Sequence, residues 1–145
     1  MKMEIRKIKS DDLPGMALLY KGFWNEDSDL NKMQETLQEF EKCKDHIVYN
    51  AILDNKVIGT ILGIVCKSLY GTGVPFLVIE DFIVDEEQRR KGVGKKLLAA
   101  IENEAKRKGC NQIILVTETE RKETQLFYES CGFPHGVNVG YKKKI

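Results

Sequence analysis

The chain has 145 residues, enough for one domain with a buried core. Hydrophobic and charged fractions of 42% and 31% are those of a folded chain and exclude disorder. The net charge of +1, with acids and bases interspersed, argues against a nucleic-acid binder driven by bulk charge.

The N-terminal Met1-Lys2-Met3-Glu4-Ile5-Arg6-Lys7 enters alternating charge without an apolar stretch, so no signal peptide is read, and no apolar run is long enough to span a bilayer. Within that segment, residues 4–8 are expected to form a short strand. Ser10-Asp11-Asp12 supplies cap side chains and Pro14 suits a first helical turn. Leu13, Met16, Ala17, Tyr20, Phe23 and Trp24 then recur at helical spacing. A second helix is expected after Asp27-Ser28-Asp29, with the stripe Leu30, Met33, Leu37 and Phe40. Residues 47–53 and 57–65 are β-rich runs joined by Asp54-Asn55-Lys56, which predicts a hairpin. Gly59 and Gly63 in the second run mark a bulge or a close backbone approach.

After a polar loop at 67–73, residues 75–84 read as a strand apolar enough to be covered on both faces. Gly94 to Lys108 is the clearest helix, with Leu97, Leu98, Ile101 and Ala105 inward, a Glu102–Lys106 pair one turn apart, and a basic end closed by Gly109. Residues 112–116 are expected as another buried strand, 123–130 as a short helix ended by Gly132, and 137–143 as a last strand. The four cysteines, Cys43, Cys66, Cys110 and Cys131, form no C-x-x-C pair and read as free, mostly buried thiols in a reducing cytoplasm. His46 and His135 lack partners at metal-ligand spacing, so no metal site is read. The sum is a single α/β (α+β) domain over residues 1–145, with a mixed, mostly antiparallel sheet and a central βαβ unit.

The segment Arg89-Arg90-Lys91-Gly92-Val93-Gly94 lies between a strand ending at Val84 and the clearest helix. Helix N-termini leave N–H groups unpaired and carry partial positive charge, so they hold anions, phosphates above all. Gly92 and Gly94 permit close backbone approach, and Arg89, Arg90, Lys91, Lys95 and Lys96 surround it with charge. A bare glycine pair would read as an ordinary helix start; the strand, the helix and the five bases favour a phosphate grip. The Rossmann fingerprint fails because Leu97 stands where its third glycine belongs, and a P-loop fails for want of an upstream glycine and a Ser or Thr after the lysine.

Arg89-Arg90-Lys91-Gly92-Val93-Gly94 satisfies every position of the Arg/Gln-x-x-Gly-x-Gly/Ala signature of the GNAT superfamily of acyl-CoA-dependent N-acyltransferases. Leu126-Phe127-Tyr128-Glu129-Ser130-Cys131-Gly132-Phe133 resembles that family's late helix ending in Tyr-x-x-x-Gly-Phe, and the element order agrees throughout. The chain departs from the pattern at Arg121, where an Asn is frequent seven residues before the tyrosine. The resemblance implies a GNAT-like fold with helices on both faces of the sheet and acetyl-CoA as co-substrate, without metal. It implies that the backbone of Phe82, Ile83 and Val84 aligns the pantetheine, that amides from Arg90 to Lys95 receive the pyrophosphate, and that Tyr128 protonates the leaving thiolate. The expected activity is acetyl transfer to a primary amine of a small molecule or peptide, by direct attack in a ternary complex. A non-catalytic acyl-CoA sensor is the alternative.

Glu80 is the candidate base, a carboxylate inside an apolar strand; a polar residue paired at a sheet surface is the equally weighted reading. Strand alternation is expected to point Asp81 to the opposite face. Trp24 is a candidate for the acceptor pocket, although its place on the apolar stripe favours the core, and Glu26, Asp27 and Asp29 are suited to attract a cation or to cap the next helix. No nucleic-acid or membrane partner is expected, and the resemblance leaves a homodimer open.

Overall fold

The computed structural model describes residues 2–145. The chain divides into two units, the first ending at Ile114 and the second running from Leu115 to Ile145. The first holds β1 (Glu4–Lys7), α1 (Leu13–Trp24), α2 (Leu30–Cys43), β2 (His46–Leu53), β3 (Lys56–Cys66), β4 (Phe76–Val84), α3 (Val93–Arg107) and β5 (Ile113–Ile114). The second holds α4 (Lys122–Ser130).

The five strands lie in sequence order, antiparallel from β1 to β4, with β5 parallel to β4 across the α3 crossover. The β2–β3 hairpin turns through Asp54 and Asn55 at φ 49° and 62°, the doubly left-handed pair that matches strand twist. Lys56, expected in the turn, instead pairs with Leu53. α2 begins where expected, with the Asp29 carboxylate accepting from the Lys32 N–H at 3.0 Å.

Helices cover both faces of the sheet. On one, Leu13, Met16, Leu37 and Val48 form a buried cluster joined by Tyr20, Met33, Phe40 and Leu62. On the other, α3 buries Val93, Leu97, Leu98, Ile101 and Ala105. Here the glycines of β3 have a use: a Cβ on Gly59 would meet Leu97 Cδ1 at 3.0 Å, and one on Gly63 would meet Ile101 Cδ1 at 3.1 Å. Close approach is the reason at both, and Gly59 also borders a register shift, where Ile58 stands unmatched between the Ala51–Gly59 and Ile52–Val57 pairs.

Four expectations need correction. Residues 137–143 form no strand; Val137, Val139 and Tyr141 alternate but are exposed, because alternation supplies a face and not the ladder partner a strand needs. The strand expected over 112–116 shrinks to Ile113–Ile114, with Ile114 and Val116 exposed. On α3 the ion pair is Arg107 with Glu104, three residues apart, not Lys106 with Glu102. The cysteines are free but none is buried: Cys43 is exposed, and Cys66, Cys110 and Cys131 are half-buried. No helix among the described residues is long and apolar enough to cross a membrane.

A polar anchor joins β1, β2 and the entrance to α1. Arg6 grips the Asp12 carboxylate bidentately at 2.7 and 2.8 Å, while Lys9 N–H donates at 2.8 Å and the fully buried Asn50 amide at 3.1 Å. Burial pushes the Asp12 carboxyl up, but these donors outweigh it and hold its pKa below the usual carboxylate range. A depressed folded pKa contributes stability that is complete above the unfolded value and is lost as pH falls through the folded one. Asp12→Asn is therefore expected to cost about 2 kcal/mol at neutral pH. Urea midpoints measured from neutral to acid pH should show the gap to wild type closing as the carboxylate protonates.

Candidate active site

The C-terminal half of β4 differs from the rest of the strand in its pairing. Its ladder with β5 stops at Val78–Ile114, so no strand of the described residues pairs with that side of Ile79 to Val84. The backbone of Phe82, Ile83 and Val84 lies on this stretch, past the end of that ladder. The end of β4 is tied to β3 by the Asp85 N–H to Ile58 carbonyl bond at 2.8 Å.

Beyond it, a single 3₁₀ turn over Glu86–Gln88 is capped by the Asp85 carboxylate on Glu87 N–H at 3.0 Å. Arg89 then folds back, its Nε donating to the Val84 carbonyl at 3.2 Å. Arg90 and Gly92 both take left-handed backbone, at φ 61° and 82°, on either side of Lys91. Such a curl turns successive N–H groups toward one concavity, an anion nest. Gly92 caps α3 without any side-chain hydrogen bond, and its carbonyl accepts from the Lys96 N–H at 3.2 Å. The amides of Val93, Gly94 and Lys95 thus remain the open end of the helix dipole. Lys91 leans on Gln88 at 3.2 Å, and Lys95 and Lys96 are exposed or nearly so.

Next to this turn in the chain, β4 carries a bulge. Thr60 pairs with Ile83 and Leu62 with Glu80, so Asp81 and Phe82 together stand opposite Ile61 alone. Asp81 sits at φ 48°, a left-handed conformation that Asp tolerates better than most residues. The extra residue breaks the alternation that was expected to send Asp81 to the far face. Glu80 shares a face with its partner Leu62, on the α1 and α2 side, and the bulge turns Asp81 to α1 as well.

There Asp81, with Tyr20, Trp24, Glu26, Asp27 and Ser28, lines a cavity of about 170 Å³. Glu80 does not line it. Asp81 keeps contact with solvent, yet the crowding protein raises its pKa, and the neighbouring Glu80 charge raises it further. Burial also drives the Tyr20 phenol well above its ordinary value, the Asp81 charge adds to this, and a hydrogen bond to the buried Thr60 hydroxyl opposes it. Tyr20 therefore stays protonated, oriented by Thr60. Trp24 is 45% exposed, its ring edge-on to Phe23 at 5.1 Å and tilted to Tyr20 at 5.6 Å. It is a wall of the cavity rather than a core residue.

Within the second unit, Tyr128 lies on α4 between Phe127 and Phe133, with ring centroids 5.4 and 5.7 Å away. Burial pushes its phenol up to about 12, against a lowering by Arg121. It carries its proton across the whole neutral range. Arg121 is the N-cap of α4 and gives no side-chain cap. His46 stacks on Phe40 at 4.3 Å and His135 pairs with Glu129 at 2.7 Å, which accounts for both histidines.

Tyr20, Thr60 and Asp81 are the members that sequence reasoning missed or misplaced. Tyr20 read as one more residue of an apolar stripe, and a bulge has no signal in a run such as Leu77-Val78-Ile79-Glu80-Asp81-Phe82.

Comparison with known proteins converges on one family. Residues 12–133 match the model of the acetyltransferase (GNAT) family. An uncharacterized N-acetyltransferase, YhfO, of Bacillus subtilis is 26% identical over 90% of this chain and 89% of its own length. Aminoglycoside N(6')-acetyltransferase type 1 of Salmonella enteritidis is 27% identical over 98% of this chain and 99% of its own. The solved structure of glucosamine-6-phosphate N-acetyltransferase from Arabidopsis thaliana has a TM-score of 0.87 at 24% identity, covering 99% of both chains.

A Cβ on Gly92 would meet nothing within 4 Å, so Gly92→Ala tests backbone conformation alone. The substitution is expected to disfavour the left-handed turn by about 1 kcal/mol. Isothermal titration should show a several-fold weaker affinity for coenzyme A with the fold intact by circular dichroism.

Proposed function

The chain belongs to the acetyltransferase (GNAT) family and is an acyl-CoA-dependent N-acetyltransferase, and from that premise we propose direct transfer of the acetyl group to a primary amine bound in the cavity beside α1. The observation that carries the reading is the adjacency along the chain of the bulged, carboxylate-bearing β4 and the uncapped N-terminus of α3. The free, scattered cysteines support a cytoplasmic setting.

Acetyl-CoA is the co-substrate and supplies the acetyl thioester. The residues present fit it: open amides at Val93, Gly94 and Lys95, the curled turn Arg90–Gly92, cationic side chains around them, and a β4 edge beyond the end of the β5 ladder at Val78–Ile114. The basic side chains neutralise the pyrophosphate, and a β4 amide donates to the carbonyl oxygen as negative charge develops on it.

An amine attacks only when neutral, so its ammonium proton must leave first. Glu80 and Asp81 are adjacent carboxylates, and we assign Asp81, the member lining the cavity, to take that proton, its affinity for protons raised by burial and then by the neighbouring Glu80 charge. The amine nitrogen then bonds to the carbonyl carbon, the carbon–sulfur bond breaks, the nitrogen releases its second proton to solvent as the amide forms, and the thiolate is protonated. Tyr128 is the proposed donor, since its phenol is protonated at neutral pH.

Steady-state rates of the variants test the assignment. Asp81→Asn is expected to lower kcat by about a hundredfold or more, and Tyr128→Phe to lower kcat at little cost in KM. Because the base must be deprotonated, activity should rise with pH through the raised Asp81 pKa. Glu80→Gln removes the neighbouring charge and should move that acid limb to lower pH. Abolition of activity by Glu80→Gln, with Asp81→Asn active, would return the role of base to Glu80.

A further inference from the structure

We propose that the acceptor carries a second positive charge besides the amine that is acetylated, held by Glu26 at the mouth of the cleft walled by Tyr20 and Trp24. The inference rests on the acetyl-transfer reading above and names its acceptor class: a diamine or larger polycation, not a monoamine and not a phosphate-bearing amino sugar.

The cleft brings acids from two separate elements together. Asp81 comes from the bulge of β4, and Glu26 and Asp27 from the loop between α1 and α2. Lys21 satisfies only one of them, pairing with Asp27 at 3.2 Å. Among the described residues neither Glu26 nor Asp81 has a hydrogen bond or an ion pair, and Asp81 has Glu80 as its neighbour in the chain. The negative charge on Glu26 and Asp81, which Lys21 does not pair with, is compensated by a cationic ligand.

The chemistry asks for two distinct carboxylates. The amine that attacks must give up its proton, which Asp81 is placed to take. A second ammonium stays charged throughout and needs a partner that does not compete for the first proton. Glu26, on a different element, is that partner. Trp24 offers an exposed indole wall to the same charge, the preferred ring for a cation–π contact.

Size and sign narrow the class further. At about 170 Å³ the cavity lies below the roughly 300–1,000 Å³ of pockets that engulf a drug-sized ligand. It admits an aminoalkyl arm and leaves the rest of the acceptor outside, near Glu26. A phosphate on that remainder would face Glu26 and be repelled. Among the relatives named above, the aminoglycoside enzyme acts on the kind of molecule this charge suits, and the glucosamine-6-phosphate enzyme on the kind it opposes.

Cadaverine and pentylamine, equal in chain length and differing by one ammonium, provide the test. With saturating acetyl-CoA, kcat/KM for cadaverine is expected to exceed that for pentylamine by about fivefold or more. The gain should lie in KM and shrink as salt rises. Glu26→Gln should bring the ratio toward one, and glucosamine 6-phosphate should be a poor acceptor. Equal values for the two amines, a ratio untouched by Glu26→Gln, or preference for glucosamine 6-phosphate would overturn the inference. Calorimetric binding of both amines to the protein with coenzyme A separates the two readings. If no amine is acetylated but cadaverine binds more tightly in a Glu26-dependent way, the transfer reading fails and the dicationic site stands. If amines are acetylated with no such preference in binding or rate, the dicationic site fails alone.

Discussion

The seat of α3 on β3 is the constraint on which the first unit depends. Gly59 and Gly63 leave no Cβ between strand and helix, so Leu97 and Ile101 descend onto bare backbone and become fully buried. Each such side chain contributes about 1.5–3 kcal/mol through removal from water. The same contact fixes the height at which α3 begins. Its N-terminus therefore meets the chain leaving β4 after a short connection, and the glycine that caps it stays free of any side chain. Packing on one face of the sheet thus sets the position of the turn that opens α3.

The bulge in β4 does the complementary work on the other face. A regular strand would have placed successive carboxylates on opposite sides. One extra residue opposite Ile61 puts Glu80 and Asp81 toward the same helices and holds Asp81 in left-handed backbone. Non-glycine residues held in that region cost about 1–3 kcal/mol and persist where the surroundings over-determine them, which happens most at functional sites. Here the surroundings are the Thr60–Tyr20 hydrogen bond on one side and the continuing β3–β4 ladder on both ends. The two like charges then raise the proton affinity of the member that lines the cavity.

Two polar networks keep the remaining elements in register. Asp12 binds β1 through Arg6 and β2 through Asn50. Glu104 on α3 accepts from Tyr49 on β2 at 3.0 Å and pairs with Arg107 and with Lys7 of β1. Both carboxylates are nearly buried and both have lowered pKa values, because their donors outweigh the penalty of burial. These pairs orient elements that hydrophobic packing alone would leave free to slide. Asn50 Oδ1 remains a buried acceptor without a hydrogen-bond partner among the described residues.

By itself the sequence determined the element order as far as α4, the hairpin at Asp54-Asn55, the cap at Asp29 and the glycine turn that opens α3. Those features are local: turn residues, caps and helical periodicity act within a few residues of one another. It also determined the family, because the turn and the Tyr128-x-x-x-Gly132-Phe133 end of α4 are contiguous patterns. Tertiary structure alone decided the rest. Whether residues 137–143 make a strand depends on a ladder partner, which alternation cannot supply. Whether Trp24 is core or wall depends on what α1 faces. The side on which Asp81 emerges depends on one unmatched residue in the β3–β4 register, a mismatch between two strands that neither strand's sequence records.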